Sequence, residues 1–135
     1  MHWSADYIGL PFEWGGYERE GVYCWGLLCL VQREVFGRVI PRHDEAGAQV
    51  EDGQAVPLGI WRSEVETEAV DLAEAVDGDV LHMWGVNSRG RTPLHVGVIT
   101  GPMQVLHIEA GTGSIVENLT SKRAAWRPIQ AYHIV

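Results

Sequence analysis

A thiol and two imidazoles are the groups in this chain best suited to chemistry: Cys24, His95 and His107. A thiol attacks a carbonyl as its thiolate, and a free cysteine titrates only near about 8.5. The positive end of a helix lowers that value, and so does a neighbouring imidazolium. Cys24 falls in the first turn of a predicted helix, where unpaired backbone N–H groups also suit a developing oxyanion. His95 and His107 fall on two successive predicted strands joined by a turn near Gly101-Pro102. Side chains alternate along a strand, so the two histidines share a face only if paired residue numbers sum to an even value. A three-residue loop over 101–103 pairs Thr100 with Gln104 and meets that condition. His107 then lies opposite Gly97, diagonal to His95 at about 7–8 Å between backbones. A two-residue turn would put them on opposite faces. Three readings stay open on this spacing: a Cys-His nucleophilic site, ordinary packing, and a Cys-His-His metal site. The last lacks a fourth ligand at a diagnostic spacing.

The elements that must position these groups are legible from periodicity. Residues 3–10 read as a short helix stopped by Gly9 and Pro11, and 12–21 as a loop broken at Gly15-Gly16. From 22 to 36, Cys24, Leu27, Leu28, Val31 and Val35 recur at helical spacing as one apolar stripe, ended by Gly37. Residues 41–57 read as irregular with one short helix at most, and 58–75 are ambiguous. Beyond Gly78-Asp79 the period changes, and 80–84, 94–100, 104–109, 114–117 and 128–134 read as strands. Val96, Val98, Leu106 and Ile108 form an apolar face opposite the histidines. Helices first and strands second predict a single α+β domain over 1–135: N-terminal helices packed on an antiparallel sheet of about five strands.

The chain has 135 residues, 46% hydrophobic and 21% charged, enough to build one core without staples. Ten basic against eighteen acidic residues give a formal charge of −8. With no basic stripe, nucleic-acid binding is excluded as an expectation. The acidic run from Glu64 to Glu74 reads as a solvated face, with a docking surface for a basic partner as the lesser alternative. No stretch reads as a membrane span, and the first residues lack the basic and apolar regions of a secretory signal. The expectation is therefore a product that is cytoplasmic as synthesised. Cys24 and Cys29 point about 140° apart on a helix, poor geometry for a disulfide; Cys29 reads as a small buried hydrophobe. His2, His43, His82 and His133 have no partner nameable from sequence.

Tyr7-Ile8-Gly9-Leu10-Pro11-Phe12-Glu13-Trp14-Gly15-Gly16, followed by Gly21-Val22-Tyr23-Cys24-Trp25-Gly26-Leu27, resembles the nucleophile region of the NlpC-type cell-wall peptidases. It is most similar to their phage-tail branch, where Cys-Trp-Gly-Leu is common. Gly78-Asp79-Val80-Leu81, Pro93-Leu94-His95-Val96-Gly97-Val98-Ile99 and Val105-Leu106-His107-Ile108 resemble that family's second half in order and spacing. Short pieces such as Cys-Trp-Gly are weak signals; the ordered set of blocks is strong. The match is weakest over 41–76.

The resemblance implies a papain-like fold with Cys24 as nucleophile, His95 as base and His107 as the group orienting His95. It implies hydrolysis of amide bonds in peptidoglycan stem peptides, often between D-glutamate and a diamino acid, with no metal or organic cofactor. It also implies a place on a phage or prophage tail, acting at the cell wall, with tail proteins as partners. The alternatives are a non-enzymatic tail-assembly protein that keeps the fold, and a related amidase or acyltransferase with the same triad. Trp14, Tyr23 and Trp25 are candidates for lining the substrate groove, with packing as the competing role. Two positions depart from the family pattern. Tyr23 stands where Asp usually caps the helix, an effect worth around 1 kcal/mol. Phe12 stands where a Tyr usually precedes Trp-Gly-Gly, and Tyr23 is the candidate to supply the missing hydroxyl.

Overall fold

A computed structural model describes residues 2–42 and 65–135. The readings made for 43–64, His43 among them, lie outside the described residues. A short 3-10 helix, Trp3–Tyr7, leads into a loop that closes on itself as a small hairpin, β1 (Tyr17–Glu18) with β2 (Gly21–Val22). Helix α1 (Cys24–Phe36) follows at once. It ends as its sequence dictates: Gly37 takes the left-handed conformation (φ 66°), and its N–H donates to the Gln32 carbonyl.

Six strands make the main sheet: β3 (Thr67–Val70), β4 (Val80–Asn87), β5 (Gly90–Gly101), β6 (Gln104–Glu109), β7 (Gly113–Asn118) and β8 (Pro128–Ile134). Their order is β3-β8-β4-β5-β6-β7, and every pairing is antiparallel. The α+β architecture is as expected, with one strand more than predicted. The addition, β3, lies in a stretch whose pattern favoured neither state.

Helix α1 is central rather than merely amphipathic. Every residue from Cys24 to Gln32 is buried. One side packs on the sheet face bearing Val80, Val96, Val98, Leu106 and Ile108, and the N-terminal segment covers the rest through Trp3, Tyr7, Leu10 and Phe12. The sheet is covered on its second face too, where Leu81, Met83, Ile99, Val105 and Ala131 pack with Ala75, Leu119 and Ala124. By strand alternation this second face carries His95 and His107.

The β5–β6 turn resolves the parity question in an unforeseen way. The loop is two residues, Pro102-Met103, with Met103 at φ 56°. Taken alone, that loop length reverses the face of His107. However, the register shifts between Ile99 and Gly101: Val98 pairs with Leu106 and Ile99 with Val105, while Gly101 pairs with Gln104. The extra β5 residue, Thr100, is a bulge that restores the even sum and sets His107 level with Gly97. The shared face was read correctly, though not the turn that produces it.

Candidate active site

Two further bulges bend the sheet beside His95. Between Met83 and Gly85 the β4–β5 ladder changes register, leaving Pro93-Leu94 opposite the single residue Trp84. Pro93 has no N–H to give a ladder, so its place at a bulge follows from its chemistry. On the other side of β4 the ladder with β8 shifts between His82 and Met83, leaving Ile129 unpaired. Gly85 makes room for the imidazole: a Cβ there would lie 2.7 Å from His95 Cβ and Cγ.

The thiol reaches the same strand from the other face. Cys24 is the first residue of α1, and its N-cap, Tyr23, makes no side-chain capping bond, the consequence expected of Tyr in place of Asp. Cys24 is 2% exposed, and its sulfur lies near the backbone N–H of Val96, the neighbour of His95. Burial pushes this thiol up to about 12, against the downward pull of the Val96, Trp25 and Cys24 N–H groups; Glu109 adds to the rise. The resting residue is therefore a neutral thiol, where the sequence pointed to a lowered one. Among the described residues, no hydrogen bond joins it to His95.

The imidazoles are joined directly. His95 Nε2 lies 2.9 Å from His107 Nδ1, with both rings buried. Burial, followed by the electrostatic effect of a second positive charge beside His107 and Arg127, holds His95 well below the ordinary imidazole range, so it is neutral near neutral pH. On its far side His107 Nε2 lies 2.5 Å from Glu117 Oε1. That same oxygen is 3.1 Å from Arg127 Nε. Arg127 also donates Nη2 and Nη1 to the two oxygens of Glu109, at 2.9 and 3.2 Å, and Nη1 to the Trp84 carbonyl. The His107 hydrogen bond, helped by the positive surroundings that include Arg127 and Arg123, keeps the Glu117 carboxyl below its usual range despite partial burial.

Glu117, Arg127 and Glu109 were missed in the sequence because charged residues near strand ends ordinarily face water. A usable signal was parity: Ile115 pairs with His107, so Glu117, two residues on, shares its face. Of the aromatic residues singled out, Trp14 presents its ring at 42% exposure, edge-on to Tyr23. Tyr23 and Trp25 are instead buried, a correction to their proposed place in the groove. The Tyr23 hydroxyl bonds that of Tyr17 at 2.7 Å, and the Trp25 indole N–H donates to the Pro41 carbonyl. Burial and that phenol pair raise Tyr23 further, keeping it neutral.

Neither Cys24 nor Cys29 is in a disulfide, and the Cys29 thiol donates to the Ile40 carbonyl. Three histidines do have partners: His2 with Asp77, His82 with the Pro93 carbonyl, and His133 with Asp79. Among the described residues, no group of three or more His, Cys, Asp or Glu side chains is arranged to hold a metal. None of their helices is long and apolar enough to cross a membrane.

Comparison with known proteins matches the sequence profile described as the NlpC/P60 family to residues 9–132. The Escherichia coli (strain K12) protein named murein DD-endopeptidase MepS/murein LD-carboxypeptidase is 30% identical over 119 residues, covering 88% of this chain and 53% of that protein. The Bacillus subtilis (strain 168) gamma-D-glutamyl-L-lysine dipeptidyl-peptidase is 31% identical over 117 residues, covering 87% and 33% respectively. The chain thus spans about half or less of these relatives. Among solved structures, the NlpC/p60 domain of the peptidoglycan hydrolase SagA superposes with a TM-score of 0.62 at 27% identity, covering 97% of this chain and 92% of that one.

Proposed function

The chain belongs to the NlpC/P60 family, and from that premise we propose that it is a cysteine peptidase cleaving amide bonds in peptidoglycan stem peptides. The observation that carries this reading is the buried His95–His107 pair on β5 and β6, with His95 next in sequence to Val96, whose N–H lies near the Cys24 thiol at the start of α1. In this reading, neutral His95 takes the thiol proton as sulfur attacks the scissile carbonyl, and returns it to the departing amine. The first-turn N–H groups of α1 face the oxyanion that forms. Water then hydrolyses the thioester, with His95 again as base. The bond we assign lies between D-glutamate and a diamino acid, a choice supported by the name of the Bacillus subtilis relative. Exposed Trp14 is the aromatic we assign to the groove. We place the protein on a phage or prophage tail, on the resemblance of its Cys-Trp-Gly-Leu run to that branch.

Burial of Cys24 favours a second reading, a non-enzymatic tail-assembly protein that retains the fold. Digestion of purified peptidoglycan separates the two. Wild type is expected to release fragments with new N-termini on the diamino acid, and Cys24→Ala to release none. His107→Ala is expected to lower turnover less than His95→Ala, because orienting the base contributes less than being it. Identical fragment patterns from wild type and Cys24→Ala would reject the peptidase. Fragments cut elsewhere in the stem would reject only the bond.

A further inference from the structure

The donor and acceptor chemistry of the buried row His95–His107–Glu117 fixes where its protons sit. An ionised carboxylate only accepts, so the 2.5 Å contact to Glu117 Oε1 requires a proton on His107 Nε2. A neutral His107 then has a bare Nδ1, which accepts at 2.9 Å from His95 Nε2, so that nitrogen carries its ring's proton. The remaining nitrogen, His95 Nδ1, is left as a lone pair able to take a proton. We propose that Glu117, ion-paired with Arg127, is a positioning residue that sets the tautomer of both imidazoles and so creates the base at His95 Nδ1.

Three features mark the arrangement as built rather than incidental. Glu117 and His107 stand on adjacent strands with a register that places both on one face. The Glu117 oxygen that faces His107 also lies 3.1 Å from Arg127 Nε, an ion-pair contact without hydrogen-bond geometry, so the guanidinium charge favours the ionised carboxylate there. Arg127 in turn is held by both oxygens of Glu109 and by the Trp84 carbonyl, while Glu109 accepts from the Val86 N–H. Remove the acceptor at 117 and nothing obliges His107 to protonate Nε2. Its proton can move to Nδ1, and His95 must then accept at Nε2 and carry its own proton on Nδ1. The base is lost without any change in the Cys24 or His95 side chain.

The activity arm of this proposal rests on the peptidase reading; the tautomer arm does not. In ¹⁵N-labelled wild type with both rings neutral, two-bond nitrogen–proton couplings are expected to show the proton on Nε2 of both His95 and His107. A proton on Nδ1 of either ring would overturn the proposal, whatever any variant does. In Glu117→Met the signature of both rings is expected to move toward Nδ1–H, with kcat down at least about tenfold and KM little changed. Glu117→Gln, which can keep an oxygen at the shared site, is expected to retain the wild-type signature and recover part of kcat. A folded Glu117→Met protein with unchanged tautomers would sink the idea. If the tautomers move but wild type cleaves no peptidoglycan, the peptidase reading fails and the positioning role stands.

Discussion

At the scale of single residues, the site is governed by what burial does to two titrating groups. His95 is neutral because charging it inside the protein is costly, and Cys24 is a thiol for the same reason. Stability should therefore depend on pH with a definite sign. His95 titrates lower in the folded than in the unfolded protein, where an imidazole takes its proton near about 6.5. Below that value the unfolded chain binds more protons, so stability falls as pH drops from 6.5 toward the folded value. The depressed Glu117 carboxyl adds a further loss from the ordinary carboxylate range downward. Calorimetric melting from pH 7.5 to 5 is expected to show a falling Tm in wild type and a shallower slope in His95→Ala. An equal slope in both would remove His95 as the cause. Cys24, His95 and His107 stand out in the sequence because few residue types suit nucleophilic chemistry, and the pairing of the two imidazoles is what the strand register predicts. The burial of Cys24 follows from its place in the apolar stripe; that of Trp25, Gly26 and Gln32 does not, since a stripe predicts one buried face whereas every residue from Cys24 to Gln32 is buried.

Elements carry a different kind of information. The end of α1 was readable from Gly37, while its start, read at 22, falls at Cys24 because Val22 joins β2; the limits of β6 and β8 coincide with their apolar patterns. Bulges escaped, because an extra residue at Thr100 or Ile129 changes pairing without changing alternation on either side. Close approaches escaped as well. Gly26, inside the first two turns of α1, admits the Gly16 carbonyl so closely that a Cβ would lie 1.8 Å from its oxygen. That carbonyl accepts the Tyr23 N–H, tying the loop to the residue before Cys24. Gly26→Ala gains helix propensity but must push this loop away. We expect a net loss on the order of 1–3 kcal/mol in denaturant melts and lower turnover. A variant as stable as wild type would mean that the loop yields freely.

Across the whole molecule, the N-terminal segment acts as a strap over the far edge of the sheet. Ser114 on β7 is its anchor: Gly9 N–H donates to the Ser114 carbonyl, Ser114 N–H to the Leu10 carbonyl, Leu10 N–H to Oγ, and Oγ to the Tyr7 carbonyl. An exposed edge strand is a template for pairing with other chains, and this contact occupies it. Ser114→Ala keeps the backbone bonds and strands the Leu10 N–H and the Tyr7 carbonyl. The expected cost is about 1–3 kcal/mol by chemical denaturation, with more aggregation on heating. A change within about 0.5 kcal/mol would show that the backbone bonds suffice.

The strap also has a consequence in time. Its side-chain bonds join residues 104 and 107 positions apart. At ribosomal speeds of about 5–20 residues per second, roughly 5–20 s separate the emergence of Cys24 from that of Ser114. Through that interval an almost wholly apolar helix with a thiol at its tip has neither its sheet nor its edge anchor. The nascent chain is thus most open to oxidation and to capture by chaperones while the residues that will enclose it are still being made.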